Sequence, residues 1–406
     1  MASTVAILAL LMGASIGRRD NLAILTLSAV LLLTLPRWVL LAAAIILARN
    51  WGPSLQMFGY AGPIVLTDLL LMVWIVRQTF AVLRLRRLSM PAATFWLMGF
   101  LIWAWFTTLL SGAEITPLLR MTVYAGVALL FHLDDSGKTW IYRAIAVYAA
   151  VELALSLSNL SGVDAGMTIG DPHELGMLLI AGAAVLRSDL FSMGKLRWLP
   201  FVLLVLGAFG TTRRGIWFAL LVFLIAGMRS MTGLRLVSVL LVLGGIGFIL
   251  FDPVTDYFQL GHTSANIRLE SVARGIAQAE RDPLFGIGWA GLTPQDGFTE
   301  SGASGSAYNL FVDVTASVGV PGLVLLLGFL GTAIPRLAVK DRTAFSFCGA
   351  FLALSLTAMT LFAGSLTTLL FLLFVSDAGF ASLPVVDDNK PNRHTHFGAD
   401  LNARTS

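Results

Sequence analysis

The chain is a succession of apolar runs separated by breaks that carry most of its charges. A run of about 20 apolar residues matches the hydrocarbon thickness of a bilayer. Inside that layer the backbone finds no water, so each crossing must be a helix or a strand of a closed barrel. The runs are continuous rather than alternating, which selects helices. Candidates lie near residues 4–17, 22–48 (with a break at Pro36), 63–83, 91–111, 117–133, 139–160, 173–187, 198–211, 214–228, 236–251, 305–334, 344–361 and 364–381. The expectation is an all-α, polytopic integral membrane protein with about 12 to 14 transmembrane helices. Composition agrees: 57% of residues are hydrophobic and 12% charged, against about 25% charged in a soluble domain.

Residues 1–381 read as one membrane domain and 382–406 as a polar, disordered cytoplasmic tail. The opening "MASTVAILALLMGASIGRRD" has no charged stretch before its apolar run, so it reads as a first membrane segment and not a cleaved signal. The single cysteine, Cys348, excludes a disulfide or thiolate cluster within the chain. The net charge of +4 is spread over many loops and sets orientation; it does not indicate nucleic acid. The "HTH" of the tail reads as solvated histidines, and no metal site or cofactor is expected.

The basic loops at 84–88, 134–138, 194–197, 229–235 and 335–342 alternate with nearly uncharged ones. The positive-inside rule puts the basic set in the cytoplasm. The loops at 49–62, 112–116, 161–172, 211–214 and 252–304 then face outward. Arg213 and Arg214 fall on that outer side, with Arg268, Arg274 and Arg281 of the long loop. An arginine within the bilayer costs about 2.5–3.5 kcal/mol on insertion scales. The pair therefore either snorkels to lipid phosphate or answers an anionic ligand. Successive helical residues point about 100° apart, so one of the two faces a given site.

The segment 252–304 is the one long outer loop, and "NIRLESVARGIAQAERDPLFGIG" within it is amphipathic. Leu269, Val272, Ala273 and Ile276 share one face at helical spacing; Glu270, Arg274 and Arg281 share the other, with Arg268 at the boundary. Ser264 or Asn266 is the expected N-cap, and Pro283, Gly286 and Gly288 end the helix in a turn. Such a helix, lying on the membrane, suits a cover over a site. After the loop, Tyr308 and Asn309 start the next spanning helix and Asp313 lies one turn deeper. That carboxylate needs a salt-bridge partner or a polar cavity, and Tyr308 also suits an interfacial aromatic belt. In "TIGDPHELGMLL", Pro172 fits a first helical turn with Asp171 as cap, which leaves His173 and Glu174 for capping or for binding.

These pieces, in this order, resemble the O-antigen ligase and O-antigen polymerase superfamily of bacterial envelopes. "GDPHELG" resembles the family's Gly-x-x-x-Pro-Asn approach to a mid-chain helix. "TTRRGIW" resembles its Ser-Arg-Gly element, with Arg214 on the family arginine. "IRLESVARGIAQAERDPLFGIGWAG" resembles the family loop, with Arg268 on its arginine and Pro283, Gly286 and Gly288 on its Pro-x-x-Gly-x-Gly. "SAYNLFVDVTASVGVPGLVLLL" resembles the His-Asn element, with Tyr308 where the family has histidine. The resemblance covers roughly residues 165–335.

It implies an envelope polysaccharide polymerase or ligase of the bacterial inner membrane. Such an enzyme transfers glycan from a polyprenyl-pyrophosphate lipid to an acceptor glycan or lipid at the periplasmic face, alongside other polysaccharide assembly proteins. Arg214 and Arg268 would clamp the pyrophosphate, with Arg213, Arg274, Arg281, His173 and Glu174 as substrate-binding candidates. Tyr308, Asn309 and Asp313 complete the catalytic set. A tyrosine of ordinary acidity is a poor base at neutral pH, so the base would be Asp313, His262, Glu300 or His173. A transporter or flippase of a lipid-linked or anionic solute is the alternative. It is disfavoured because transporters place charges near mid-bilayer, often within internal repeats, and here the charges cluster at one surface.

Overall fold

The computed structural model describes residues 35–47, 66–85, 92–131, 135–158, 172–188, 194–211, 213–228, 235, 262–289, 309–356 and 366–379. The expected segments 4–17 and 236–251, the tail, Glu300 and Tyr308 lie outside these residues, as does the expected cap Asp171. Among the described residues the chain is all-helical, with twelve α-helices and no strand. In chain order they are α1 (Arg37–Leu47), α2 (Leu66–Leu85), α3 (Ala92–Ser111), α4 (Thr116–Phe131), α5 (Asp135–Ser158), α6 (Pro172–Arg187), α7 (Trp198–Gly210), α8 (Arg214–Ala226), α9 (His262–Arg281), α10 (Leu310–Lys340), α11 (Arg342–Ser355) and α12 (Leu366–Gly379). Three described helices, at 92–111, 137–157 and 310–340, are long and apolar enough to cross a membrane.

Local chemistry sets the ends. Pro36 and Pro172 cannot continue a helix from behind but suit its start, and α1 and α6 begin there. Asn309 and Asp341 cap α10 and α11, each accepting two backbone N–H groups through its side chain. The helix α9 starts at His262, before the expected caps Ser264 and Asn266, which lie inside its first two turns.

Small residues let the helices pack closely. Gly182 and Gly207 meet Leu204 and Leu179, so α6 and α7 run antiparallel. Gly328, Gly99 and Gly322 meet Trp96, Leu325 and Trp103, which sets α3 antiparallel to α10. Phe351 stacks on Phe371 with ring centroids 4.0 Å apart and Phe347 meets Phe374 at 4.4 Å, an antiparallel α11–α12 pair. By contrast, α6 and α8 are parallel. Gly176 lies against Ile216, and Arg187 donates to the Gly227 carbonyl, a constant register of 40 residues. Arg342 lies within electrostatic reach of Arg187, so α11 starts at the end where α6 and α8 finish. These alternations bring the N-termini of α6 and α8 and the C-terminus of α11 to one end of the bundle.

The helix α10 is broken at Gly319, whose φ of 74° lies in the left-handed region. A helix broken in an apolar setting must bond its freed backbone groups elsewhere. The turn after α9 does this. Ile287 and Gly288 donate to the Ala316 and Ser317 carbonyls at 3.0 and 2.8 Å, and Val320 donates to the Pro283 carbonyl at 2.7 Å. Gly286, at φ 65°, lies so near the Ser317 backbone that a Cβ would come within 2.5 Å. The Pro-x-x-Gly-x-Gly stretch is thus a docking turn that fits the break in α10.

Candidate functional site

The expected site residues sort by the helix ends that carry them. His173 and Glu174 are in the first turn of α6, and Glu174 is buried. The 40-residue register of α6 and α8 puts those first turns level with Arg213 and Arg214. Arg213 is exposed at the N-cap of α8 in extended backbone (φ −93°, ψ 120°), while Arg214 is the first helical residue. The cap separates the two arginines into different backbone environments.

The same end receives the start of α10. The Asn309 side chain accepts from Phe311 and Val312 and donates to the Leu356 carbonyl, just past α11, at 3.5 Å. Asn309 therefore has a capping and tethering role beside any contact with substrate. Asp313 follows one turn on and is buried, 2% exposed. Thus His173, Glu174, Arg213, Asn309 and Asp313 share one end of the bundle with the backbone of Arg214.

The helix α9 packs along α10. Its Ser271 and Gly275 are buried and Arg274 is half-buried, with Nη2 donating to Ser271 Oγ at 3.3 Å. Ala273 and Ile276, from the expected apolar face, are exposed, as are Glu270 and Arg281. The expected polar face is therefore split: Arg274 turns toward the protein, while Glu270 and Arg281 do not. Periodicity finds the axis of an amphipathic helix but not which side a protein partner takes. The backbone of α9 puts Arg268 one and two turns before Ser271 and Gly275, and His262 at its first residue.

Three polar side chains at this end were absent from the sequence-based set. Arg120 Nε donates to Asp68 Oδ2 at 3.2 Å, joining the first turn of α2 to the second turn of α4. Tyr124, buried on α4, lies within electrostatic reach of Asp68, Arg120 and Glu174. The signal that points to Asp68 is a lone charge inside an apolar run.

Chemically, this end gathers guanidinium, carboxylate, imidazole and amide groups over an otherwise apolar bundle. Guanidinium groups bind phosphate oxygens through paired N–H donors. A helix N-terminus adds oriented N–H groups that favour an anion.

No curated protein matches the chain. Residues 199–327, from α7 to the middle of α10 and including α9 and its docking turn, match the family model described as O-antigen ligase. Over this segment the chain is similar to the O-antigen ligase family, in line with the resemblance carried by its sequence motifs.

Proposed function

We propose that the protein transfers glycan from a polyprenyl-pyrophosphate lipid to an acceptor hydroxyl at the periplasmic face of a bacterial inner membrane, as an envelope polysaccharide polymerase or ligase. The observation that carries this reading is the level arrangement of the α6 and α8 first turns, within a chain whose family match spans α8, α9 and the α10 break.

In the proposed reaction the acceptor oxygen attacks the anomeric carbon. The bond from that carbon to the pyrophosphate oxygen breaks, and the bonding electrons leave with the pyrophosphate. The acceptor proton passes to a base. Arg214 and Arg268 meet the charge growing on the leaving pyrophosphate, where fixed donors act most strongly. Arg213, Arg274, Arg281, His173 and Glu174 hold the donor and acceptor nearby. Exposed Ile276 and Leu284 along the α9 region suit a helix resting on the bilayer surface, beside the lipid tail of such a donor. The clamp is cationic side chain throughout, so the proposed chemistry calls for no metal ion.

The test is removal of the protein from its native cell, followed by extraction of polyprenyl-linked glycans. Accumulation of one lipid-linked glycan together with loss of its polymer or its transferred form is expected. Normal turnover of every lipid-linked glycan would refute the proposal. Accumulation on the cytoplasmic leaflet alone would instead support a flippase.

A further inference from the structure

We infer that Trp103 and Thr108 of α3, which lies outside the family match, are positioning residues that hold the docking turn in the break of α10 and thereby fix the placement of α9. The structural half of this inference stands alone; its catalytic consequence rests on the function proposed above.

The contacts form a continuous clamp across distant parts of the chain. Thr108 Oγ1 donates its one proton to the Ala104 carbonyl at 2.7 Å, so its lone pairs are free to accept. It accepts the backbone N–H of Trp289 at 2.9 Å, across 181 residues of sequence. Trp289 is fully buried, with its ring edge-on to Phe100 at 5.7 Å. One turn earlier on α3, Trp103 Nε1 donates to the Val318 carbonyl at 2.7 Å, at the residue before the break. The Trp103 ring stacks on Phe285 of the turn, with centroids 5.8 Å apart and planes inclined by 21°, and Phe106 meets the same ring at 6.1 Å. Trp103 therefore touches both partners at once, the turn through its ring and the helix break through its N–H.

Two glycines make the approach possible. A Cβ on Gly288 would collide with Ser111, the last residue of α3, and with Ala113 just past it, and one on Gly319 would collide with the Leu284 carbonyl. The turn is thus enclosed between α3 and α10, and α9 leads directly into it at Asp282. A shift of the turn moves the end of α9 with it. Arg268 sits on that helix, so the clamp sets where its backbone stands relative to α10.

The same kind of bond elsewhere on α3 supplies a control. Trp105 Nε1 donates to Thr122 Oγ1 at 2.9 Å, and Thr122 donates to the Leu118 carbonyl at 2.8 Å. That pair joins α3 to α4 and touches neither the turn nor α10.

The experiment uses the full chain with Cys348→Ala, spin-labelled at Ile102 and Ala277, both exposed, in lipid nanodiscs. Pulsed dipolar spectroscopy reads the α3–α9 distance. Thr108→Val and Trp103→Phe are expected to raise the population outside the wild-type distance about fivefold, as loss of one hydrogen bond allows. Thr108→Ser restores the wild-type distribution and Thr122→Val leaves it unchanged. In a transfer assay the first two variants raise KM for the lipid-linked donor by a similar factor, and Thr108→Ser does not. Trp103→Phe keeps a ring in place and decides the matter if Thr108→Val fails to fold. Unchanged distances in both variants, or an equal change in Thr122→Val, would overturn the inference. Changed distances without any wild-type transfer would uphold the clamp and remove the proposed function.

Discussion

Gly176 of α6 lies against Ile216 of α8 so closely that a Cβ at Gly176 would fall 2.7 Å from the isoleucine side chain. This contact fixes the level of the two first turns, and with them His173 and Glu174 relative to Arg213 and Arg214. Gly176→Ala forces either Ile216 or α8 to move, an overpacking cost of about 1–3 kcal/mol. It is expected to lower both the melting temperature in detergent and transfer activity. In an Ile216→Ala background, Gly176→Ala should cost less than half as much, because the two sites are coupled. Equal costs in both backgrounds, read by thermal unfolding, would show that the contact does not set the spacing.

The Asp68–Arg120 pair supports the same end from the other side of the bundle. Asp68 is 4% exposed, so Arg120→Ala leaves a buried carboxylate without its guanidinium partner. A loss of about 3 kcal/mol or more is expected. The double variant Asp68→Asn with Arg120→Met should recover most of it, because the uncompensated charge is gone. Failure of the double variant to exceed Arg120→Ala in thermal stability would assign the pair a role other than charge compensation.

Orientation is open to a direct check. Cysteines placed at Gly261 and Gly302, in a Cys348→Ala background, are expected to react with a membrane-impermeant thiol reagent in intact spheroplasts. Labelling only after lysis would place the long loop in the cytoplasm and remove the proposed site with it.

The tyrosine at the family histidine position bears on the base. Tyr308→Phe is expected to lower turnover about tenfold or less, as one lost neutral hydrogen bond does. Removal of the base should cost about 10²–10⁴-fold. The panel is Tyr308→Phe against His173→Ala, His262→Ala, Glu300→Gln and Asp313→Asn in one assay. Loss of turnover in Tyr308→Phe alone would make the phenol the base.

Much of the helical frame is legible in the sequence because it depends on local features. Apolar runs mark α3, α5 and α10, and Pro36 and Pro172 mark the starts of α1 and α6. The 283–288 turn is legible from its proline and glycines. What it docks on is not. Pro321, two residues after Gly319, is a local sign of a kink in α10, but the bonds that hold the break are not local: they come from a turn about 30 residues earlier and from Trp103 more than 200 residues away. The Asp68–Arg120 pair joins residues 52 positions apart, so each charge is visible alone but the pair is not. For α9, periodicity gives the helix and leaves the side that meets α10 undetermined. That side follows from small Ser271 and Gly275, which allow close approach.

The most direct measurement of the central claim is turnover of a polyprenyl-pyrophosphate-linked glycan by purified protein in liposomes, with Arg268→Ala, Arg268→Lys and Arg84→Lys compared with wild type. A pyrophosphate clamp depends on the two-pronged geometry of guanidinium as well as on charge. Arg268→Lys is therefore expected to fall nearly as far as Arg268→Ala, on the order of 10²–10³-fold, as for a lost donor to developing charge. Arg84→Lys, at the C-terminal end of α2 in the basic stretch expected to set orientation, should keep wild-type turnover. Full turnover in Arg268→Ala would contradict the clamp.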